Sequence, residues 1–515
     1  MTQASYAARS VSLAWLLDGI VSPDEAPGAD RAAVQVADLT LDSRAVRAGS
    51  LFFALAGHRH HGLEFAPEAA AHGASAVLWE STGGAAPPTL PANLPPALVC
   101  APVANLSQRL GRIADRFFHW PSQYLRICGI TGTNGKTTCA YLLAQSLERL
   151  GFPSAYIGTL GLGRIGAFEA PTHTTPDVIS VHRALAALRA QGVRDVAIEV
   201  SSHALDQGRV AGVRFFCAAL TNLTRDHLDY HGSMEAYGAA KERLFAVPEL
   251  RHCVLNVGDQ FGRRLAERNT GAVPMTVVWV GADKYGWLGE RNLNVSAVRA
   301  DTHGLSLSIG GSFGPLELNS KLIGRFNAEN LVVVLACLIA YGIPASDAAA
   351  ALGACAAAPG RMEAVASNDS AKPLAVIDYA HTPDALAKAL GALREHCRGA
   401  LWCVFGCGGD RDPGKRAVMG AIADDLADSI IITDDNPRSE DPAAITAAIA
   451  SGITVHPFRV IHDRGEAIAT ALASAAPADV VLIAGKGHED YQIYGDRRRA
   501  FSDRSEALRH LGVAA

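Results

Sequence analysis

The stretch Gly132-Thr133-Asn134-Gly135-Lys136-Thr137-Thr138 carries the residue types that bind phosphate. Glycines let a backbone come close to an anion, and the main-chain N–H groups can then turn inward toward it. Lys136 supplies a positive charge, and Thr137 offers a hydroxyl to Mg²⁺. The elements that must hold such a loop are legible on both sides. The apolar run at 124–130 reads as a buried strand, and 140–150 has helical spacing. The helix N-terminus then adds its dipole to the same site. The common form of this loop has a glycine five residues before Gly135, but Ile130 stands there, and the glycines fall at 129, 132 and 135.

Two polar clusters follow predicted strands in the same region. The run 193–200 includes Glu199 and leads into Ser201-Ser202-His203. The run 213–220 leads into Thr221-Asn222 and then Asp226-His227-Leu228-Asp229. Ligands of open α/β sheets bind beyond the carboxyl ends of the strands, so both clusters belong near the phosphate loop. Glu199 and His227 are candidate Mg²⁺ ligands, Glu199 being the harder donor. Lys241 lies in a predicted helix at 233–243, where spacing says only that it is a surface lysine. Asn327 is a plausible N-cap for an apolar helix, and 345–358 is alanine-rich and helical up to Pro359-Gly360-Arg361.

Beyond that point a simple design repeats. Predicted strands at 374–377, 401–405, 429–433 and 480–484 are each followed at once by a polar cluster. The clusters contain Asp378 and His381, then Arg411, then Asp435-Asn436-Pro437-Arg438, then Gly485-Lys486-Gly487-His488-Glu489. Strands alternating with helices imply a parallel sheet with right-handed crossovers, so these loops converge on one edge. Arg411, Arg438 and Glu489 together suit a ligand bearing both carboxylate and ammonium groups. Before residue 122 there is no nucleotide motif. Short strands at 37–41 and 50–54 flank Asp42-Ser43-Arg44 and precede Gly57-His58-Arg59-His60-His61-Gly62, either a ligand site or ordinary turn chemistry. The histidines have no evident carboxylate partner that would favour a metal.

The chain has 515 residues, too many for one core, and the expected domains are 1–122, 123–358 and 359–515. The fold class is α/β throughout: an N-terminal α/β domain, a central P-loop sheet domain and a C-terminal Rossmann-like domain. Net charge is −5 from 46 basic and 51 acidic residues, which argues against a nucleic-acid surface. The longest apolar run, 331–340, is too short to span a bilayer, so no membrane insertion is expected. The run 12–17 is too short for a signal-peptide core. Ten cysteines without paired spacing read as free thiols in a reducing cytoplasm. Cys403 and Cys407 lack the second pair that a zinc site needs.

Residues 132–138 resemble the ATP signature of the Mur ligases, which accounts for the missing glycine at 130. The resemblance covers nearly the whole chain. It includes Asp42-Ser43-Arg44, Thr174-Thr175-Pro176-Asp177, Glu199-Val200-Ser201-Ser202-His203, Asp226-His227-Leu228-Asp229-Tyr230-His231-Gly232, Asp378-Tyr379-Ala380-His381-Thr382-Pro383 and Gly485-Lys486-Gly487-His488-Glu489. These details are similar to the branch that adds the third amino acid to UDP-N-acetylmuramoyl-L-alanyl-D-glutamate in peptidoglycan precursor synthesis.

The resemblance implies roles that spacing does not. Leu41, Ser43, His58, Arg59 and His60 would hold the UDP end, and Thr174, Thr175, Ser201, Gln207 and Arg209 the muramoyl dipeptide. His173 stands where some relatives have asparagine and is set aside. Gly132, Thr133, Asn134, Gly135, Lys136, Thr137 and Thr138 would bind ATP, with Asn330, Arg361, Asp378 and His381 contacting or approaching it. Lys241 matches a lysine that becomes carbamylated in this family, and the carbamate would join Thr137, Glu199 and His227 around Mg²⁺. Arg438 would grip the distal carboxylate of meso-diaminopimelate, with Arg411, Asp435, Asn436, Pro437, Gly485 and Glu489 around the rest.

The implied reaction is an ATP-dependent amide ligation through an acyl phosphate, by a monomer whose third domain moves on binding. Two other readings stand beside it. One is an L-lysine-adding or folate-type ligase of the same superfamily, against which Arg438 and the Asp-Ser-Arg loop respectively count. The other is a non-ligase nucleotide switch, which leaves the C-terminal polar loops without a role.

Overall fold

The computed structural model describes residues 10–22, 24–25, 33–57, 60–81, 90–169, 174–269, 271, 273–301, 303–367 and 369–513. His58, Arg59 and His173 lie outside these. Backbone contacts divide the chain into two compact units: Met1–Lys136 with Gly151–Val254 and Arg268–Pro274, and Thr137–Leu150 with Leu255–Glu267 and Met275–Ala515.

The first unit contains a four-stranded parallel sheet in the order Asp38–Thr40, Ser50–Ala54, Ala76–Ser81, Val99–Ala104. The Ser-Leu-Phe-Phe-Ala strand is buried along its whole length, as a run covered on both faces must be. The helix Leu106–Phe117 places Leu106, Leu110, Ile113 and Phe117 on one stripe. That stripe packs with Leu13, Leu16 and Leu17 and with Val178 and Ile179 of the helix Val178–Ala190 in one core. The same unit holds the strands Ala167–Glu169, Gly161–Arg164, Ser154–Gly158, Asp195–Glu199, Arg126–Thr131 and Cys217–Leu220 in that spatial order. The last four are mutually parallel, and the first two form an antiparallel extension.

In the second unit the strands Met275–Val280, Arg291–Asp301, Gly304–Gly311 and Leu316–Ser320 lie side by side. The first pair is parallel and the others antiparallel. The helix Asn327–Ala340 is apolar almost all round and buried on nearly every face. A six-stranded sheet follows in the order Glu363–Val365, Leu374–Asp378, Val480–Ala484, Leu401–Phe405, Ser429–Ile432, Phe458–Val460, parallel except for its first strand. Helices Pro383–Arg394, Lys415–Leu426 and Pro442–Ala450 cover one face, and Arg464–Ser474 with Asp503–Leu511 the other. The chain is therefore a mixed α/β protein built on parallel sheets.

Several local expectations need correction. Tyr124 is not in the strand but in a 3-10 turn, Pro121–Tyr124, and is 59% exposed, because Pro121 opens that turn and the strand starts only at Arg126. Asn327 does not cap its helix; its side-chain amide donates to Ile323 O at 2.7 Å, and Phe326 occupies the cap without a side-chain bond. The helix beginning at Ala345 ends at Gly353, five residues earlier than expected. Among the described residues no helix is long and apolar enough to cross a membrane, and none of the ten cysteines is in a disulfide.

Candidate active site

The phosphate loop grows from the carboxyl end of the strand Arg126–Thr131. Register pairs Ile130 with Glu199 on one side and Thr131 with Leu220 on the other, so three strand ends arrive together. Gly132 has φ +151° and Gly135 φ +85°, and a side chain at Gly132 would run into the Thr221 hydroxyl. The segment after the neighbouring strand clamps the loop. Thr221 donates its hydroxyl to Asn134 O at 2.6 Å, Asn222 Oδ1 accepts from Asn134 N at 3.0 Å, and Thr133 N donates to Asn222 O at 2.9 Å. Thr133 Oγ1 lies 3.1 Å from both Thr224 O and the Tyr237 hydroxyl. Lys136 opens the helix Lys136–Arg149, with Thr137 and Thr138 buried in its first turn. Its Nζ folds back onto Gly132 O at 2.9 Å and Thr133 O at 2.8 Å.

Lys241 is not a surface residue. Its helix, Met234–Glu242, packs so that the side chain is 1% exposed and its Nζ donates to Gly132 O at 2.8 Å. The ammonium lies 4.5 Å from the Tyr237 ring centroid. Burial, reinforced by Lys136 and opposed by Asp226, holds its pKa well below the ordinary lysine value. Glu199 is buried and accepts from the Tyr156 hydroxyl, from Thr159 N at 2.9 Å and from Thr159 Oγ1 at 3.3 Å. His227 is half exposed, sits at φ +52° and lies 3.5 Å from Asp226 Oδ2. His203 stands between His227 and Tyr230, with ring centroids at 4.8 and 4.2 Å. Burial, with His227 and His231 nearby, lowers the His203 pKa. Among the described residues no trio of His, Cys, Asp or Glu donors meets around Glu199 or His227.

The residues expected around the dipeptide form one chain of contacts. Thr175 donates to Glu199 O at 2.8 Å, and Thr174 Oγ1 lies 3.3 Å from Thr159 Oγ1. Ser201 caps the short helix Ser202–Asp206. Arg209 donates to Thr175 O at 2.9 Å and to Gln207 Oε1 at 2.7 Å, and Gln207 donates to the Tyr230 hydroxyl at 3.2 Å. At the N-terminal sheet, the Ser43 hydroxyl is donated to Glu68, His60 pairs with Glu64 at 3.2 Å, and Leu41 packs against the core.

In the second unit, Asn330 is buried and donates to Asn327 Oδ1 at 2.7 Å. Arg361 lies 4.9 Å from the Tyr379 ring centroid, and His381 and His488 lie 4.6 and 5.3 Å from the same ring. The Arg361 Nε and His488 Nδ1 are buried with no hydrogen-bond partner among the described residues. Burial raises the Asp378 pKa, with Arg361 and the Met362 N–H opposing it, and burial with the Arg361 charge lowers His488 to about 4. Desolvation likewise lowers the His381 pKa, although the residue is exposed.

The loops after Ser429–Ile432 and Val480–Ala484 are joined by Lys486, which is wholly buried. Its Nζ donates to Glu489 Oε2 at 3.0 Å and Asn436 Oδ1 at 3.2 Å, and lies 3.9 Å from Asp435 Oδ1. Asn436 Nδ2 also donates to Glu489 Oε2 at 3.0 Å. Gly485 has φ +114°, and a side chain there would press on the Asp435 carboxylate. Arg438 has φ +54°, a left-handed conformation that costs a non-glycine residue about 1–2 kcal/mol. Its Nη1 donates to Gly409 O at 2.7 Å. Arg411 is exposed, and both arginines flank the Gly408 backbone. Spacing did not single out Tyr156, Thr159 or Tyr237, whose importance comes from contacts distant in sequence, and it gave Lys486 only as one member of its polar cluster.

Three sequence profiles match the chain: the Mur ligase family catalytic domain over residues 35–118, the Mur ligase middle domain over 130–338, and the Mur ligase glutamate ligase domain over 360–487. A relative from Ectopseudomonas mendocina, named UDP-N-acetylmuramoyl-L-alanyl-D-glutamate–2,6-diaminopimelate ligase, is 47% identical over 481 residues, 93% of this chain and 96% of that one. A relative of the same name from Xanthomonas campestris pv. campestris is 47% identical over 506 residues, 98% of each chain. A solved structure of a ligase of that name has a TM-score of 0.70 at 34% identity, covering 98% of this chain and 99% of its own. With profiles and relatives matching along almost its full length, this chain belongs to the Mur ligase family.

Proposed function

We propose that this enzyme joins meso-2,6-diaminopimelate to UDP-N-acetylmuramoyl-L-alanyl-D-glutamate, using ATP, in cytoplasmic peptidoglycan precursor synthesis. The observation that carries the reading is Arg438, held left-handed beside the Lys486, Asn436 and Glu489 network in a chain 47% identical to relatives named for that reaction. A guanidinium there pairs with the distal carboxylate of diaminopimelate. L-lysine lacks that carboxylate and would leave the arginine without its partner.

The D-glutamyl side-chain carboxylate attacks the γ-phosphorus of ATP. A carboxyl O–P bond forms as the bond to the departing ADP oxygen breaks. Lys136 and the N–H groups of residues 132–138 stabilise charge spread over the phosphoryl oxygens. A neutral amine of diaminopimelate then attacks the acyl carbon, a C–N bond forms, the C–O bond to phosphate breaks, and the amine releases a proton. Thr174, Thr175, Ser201, Gln207 and Arg209 hold the dipeptide, and Leu41, Ser43, His58, Arg59 and His60 the UDP end. Arg361, whose Nε has no hydrogen-bond partner among the described residues, serves the nucleotide with Asn330, Asp378 and His381. The protein mainly orients its substrates and keeps water from the acyl phosphate.

Mg²⁺ belongs to the proposal and would neutralise phosphate charge when bound. Thr137, Glu199 and His227 would hold it. The donor chemistry fits a hard cation, since a carboxylate offers about four lone-pair sites and Glu199 can keep its bonds to Tyr156 and Thr159 while binding an ion. The depressed pKa of Lys241 favours the neutral amine. That amine can attack CO₂ to give a carbamate and a proton, replacing a buried neutral amine by an anion facing Lys136.

The test measures phosphate release with the UDP-muramoyl dipeptide and ATP, adding meso-diaminopimelate or L-lysine separately. Release that depends on diaminopimelate supports the reading. Equal rates with both amino acids overturn the specificity, and slow hydrolysis indifferent to either would favour a nucleotide switch.

A further inference from the structure

The 435–438 loop leaves the end of a parallel strand, where no ladder continues to hold its backbone. Its support comes from the Gly409 N–H, which donates to Asn436 O at 2.9 Å, and from the antiparallel hairpin of Tyr491–Tyr494 and Arg497–Ala500. Arg438 N donates to Ile493 O at 3.0 Å, and Gly495 N donates to Arg438 O at 2.6 Å. Ile493 N donates to Asn436 Oδ1 at 3.0 Å, and the Tyr494 hydroxyl to Asp434 Oδ2 at 3.0 Å. The left-handed Arg438 is thus gripped at both its N–H and its carbonyl.

Gln492 locks the hairpin to the loop root. It is wholly buried, and its side-chain nitrogen donates to Asp434 O at 3.1 Å and Asp435 O at 2.9 Å. Its oxygen accepts from Arg499 Nε at 3.0 Å and Nη2 at 2.6 Å. Both amide hydrogens and the oxygen are matched, so flipping the group would set donor against donor and acceptor against acceptor. Gln492 thus holds both carbonyls at the root of the loop, of which Asp434 O is also reached by Arg464 Nη1 at 3.5 Å.

We infer that the hairpin is a splint for amino-acid selection, and that Gln492, oriented by Arg499, is a positioning residue that sets where Arg438 presents its guanidinium. The inference rests on the diaminopimelate reading above. Gln492 does not touch substrate in this account; it acts through the loop.

The experiment compares the full-length protein with Gln492→Glu, which turns the two donors into an acceptor facing two carbonyls. The expected result is a rise of about tenfold or more in KM for diaminopimelate and a smaller preference over L-lysine. KM for ATP and for the UDP-dipeptide, and kcat at saturation, should stay within about twofold. Unchanged KM for diaminopimelate in a folded variant overturns the inference, and so does a uniform loss across all substrates. Arg499→Met, on the exposed strand, removes the orienting partner without changing the core. It should shift the same KM in the same direction by a smaller factor, and it decides the matter if Gln492→Glu does not fold; no shift there also overturns the inference. A wild-type enzyme whose phosphate release ignores diaminopimelate would instead defeat the underlying reading.

Discussion

Replacing Lys486 with methionine keeps the aliphatic stem and deletes the buried charge. The ammonium is wholly buried between Glu489 Oε2 at 3.0 Å and Asn436 Oδ1 at 3.2 Å, with Asp435 at 3.9 Å. Removing one partner of a buried ion pair costs about 3–5 kcal/mol, because the other charge is left uncompensated. The Glu489 side chain is 18% exposed and keeps its bond from Asn436, so the low end, about 3 kcal/mol, is the expected value. All the affected groups lie on loops beyond strand ends. Part of the loss should therefore appear as a displaced Glu489 and a raised KM for diaminopimelate, by at most about a hundredfold, and part as a Tm lower by several degrees. Calorimetry and phosphate-release kinetics, with each substrate varied in turn, measure both. A double variant with Glu489→Gln should recover much of the lost Tm, since the stranded carboxylate is then neutral. A Lys486→Met enzyme with unchanged Tm and unchanged KM for diaminopimelate would refute this reasoning. So would strict additivity with Glu489→Gln.

Three further outcomes are expected. Gly132→Ala, at φ +151° and against the Thr221 hydroxyl, should cost about 1–3 kcal/mol and weaken ATP binding more than binding of the UDP-dipeptide, as nucleotide titration would show. Removing CO₂ and bicarbonate should lower activity reversibly, while Lys241→Arg, which cannot form the carbamate, should be inactive whatever the bicarbonate level. Asp115 and His182 face each other at 3.5 Å, and burial raises the first to about 6 and lowers the second to about 4. Asp115 contributes stability that is full below its unfolded pKa and lost as pH rises through about 6, whereas His182 contributes stability present above 6.5 and lost as pH falls through about 4. The two oppose each other between these limits. Asp115→Asn should therefore show a Tm that falls more steeply than wild type from about pH 6.5 to 4, and thermal melts across that range test it.

Local patterns carried much of the fold. The strands Ser50–Ala54, Leu401–Phe405 and Val480–Ala484 are continuous apolar runs bounded by polar clusters, so both their existence and their ends were legible. Strand order was not. The last long strand, Val480–Ala484, lies between Leu374–Asp378 and Leu401–Phe405, and only packing decides that insertion. The phosphate loop was readable because its glycines and lysine are contiguous. The burial of Lys241 was not, because it depends on a helix more than a hundred residues away docking on Gly132. The partners of Glu199 come from Tyr156 and Thr159, and those of the 435–438 loop from Gln492. Periodicity reports neighbours along the chain and is silent about such crossings. Asn327 misled for a related reason: the residue type suits a cap, yet a carbonyl four residues back took its side chain.

The backward fold of Lys136 onto its own loop has a consequence for inhibition. A free orthophosphate or sulfate ion entering the cradle would have to pull the ammonium off two carbonyls with only the loop's own N–H groups to hold the ion in place. A ligand anchored by distant groups as well, such as an intact nucleoside triphosphate, can displace the lysine and still bind. Small inorganic anions should for that reason be feeble competitors here, and the enzyme should tolerate buffers that poison less self-guarded cradles.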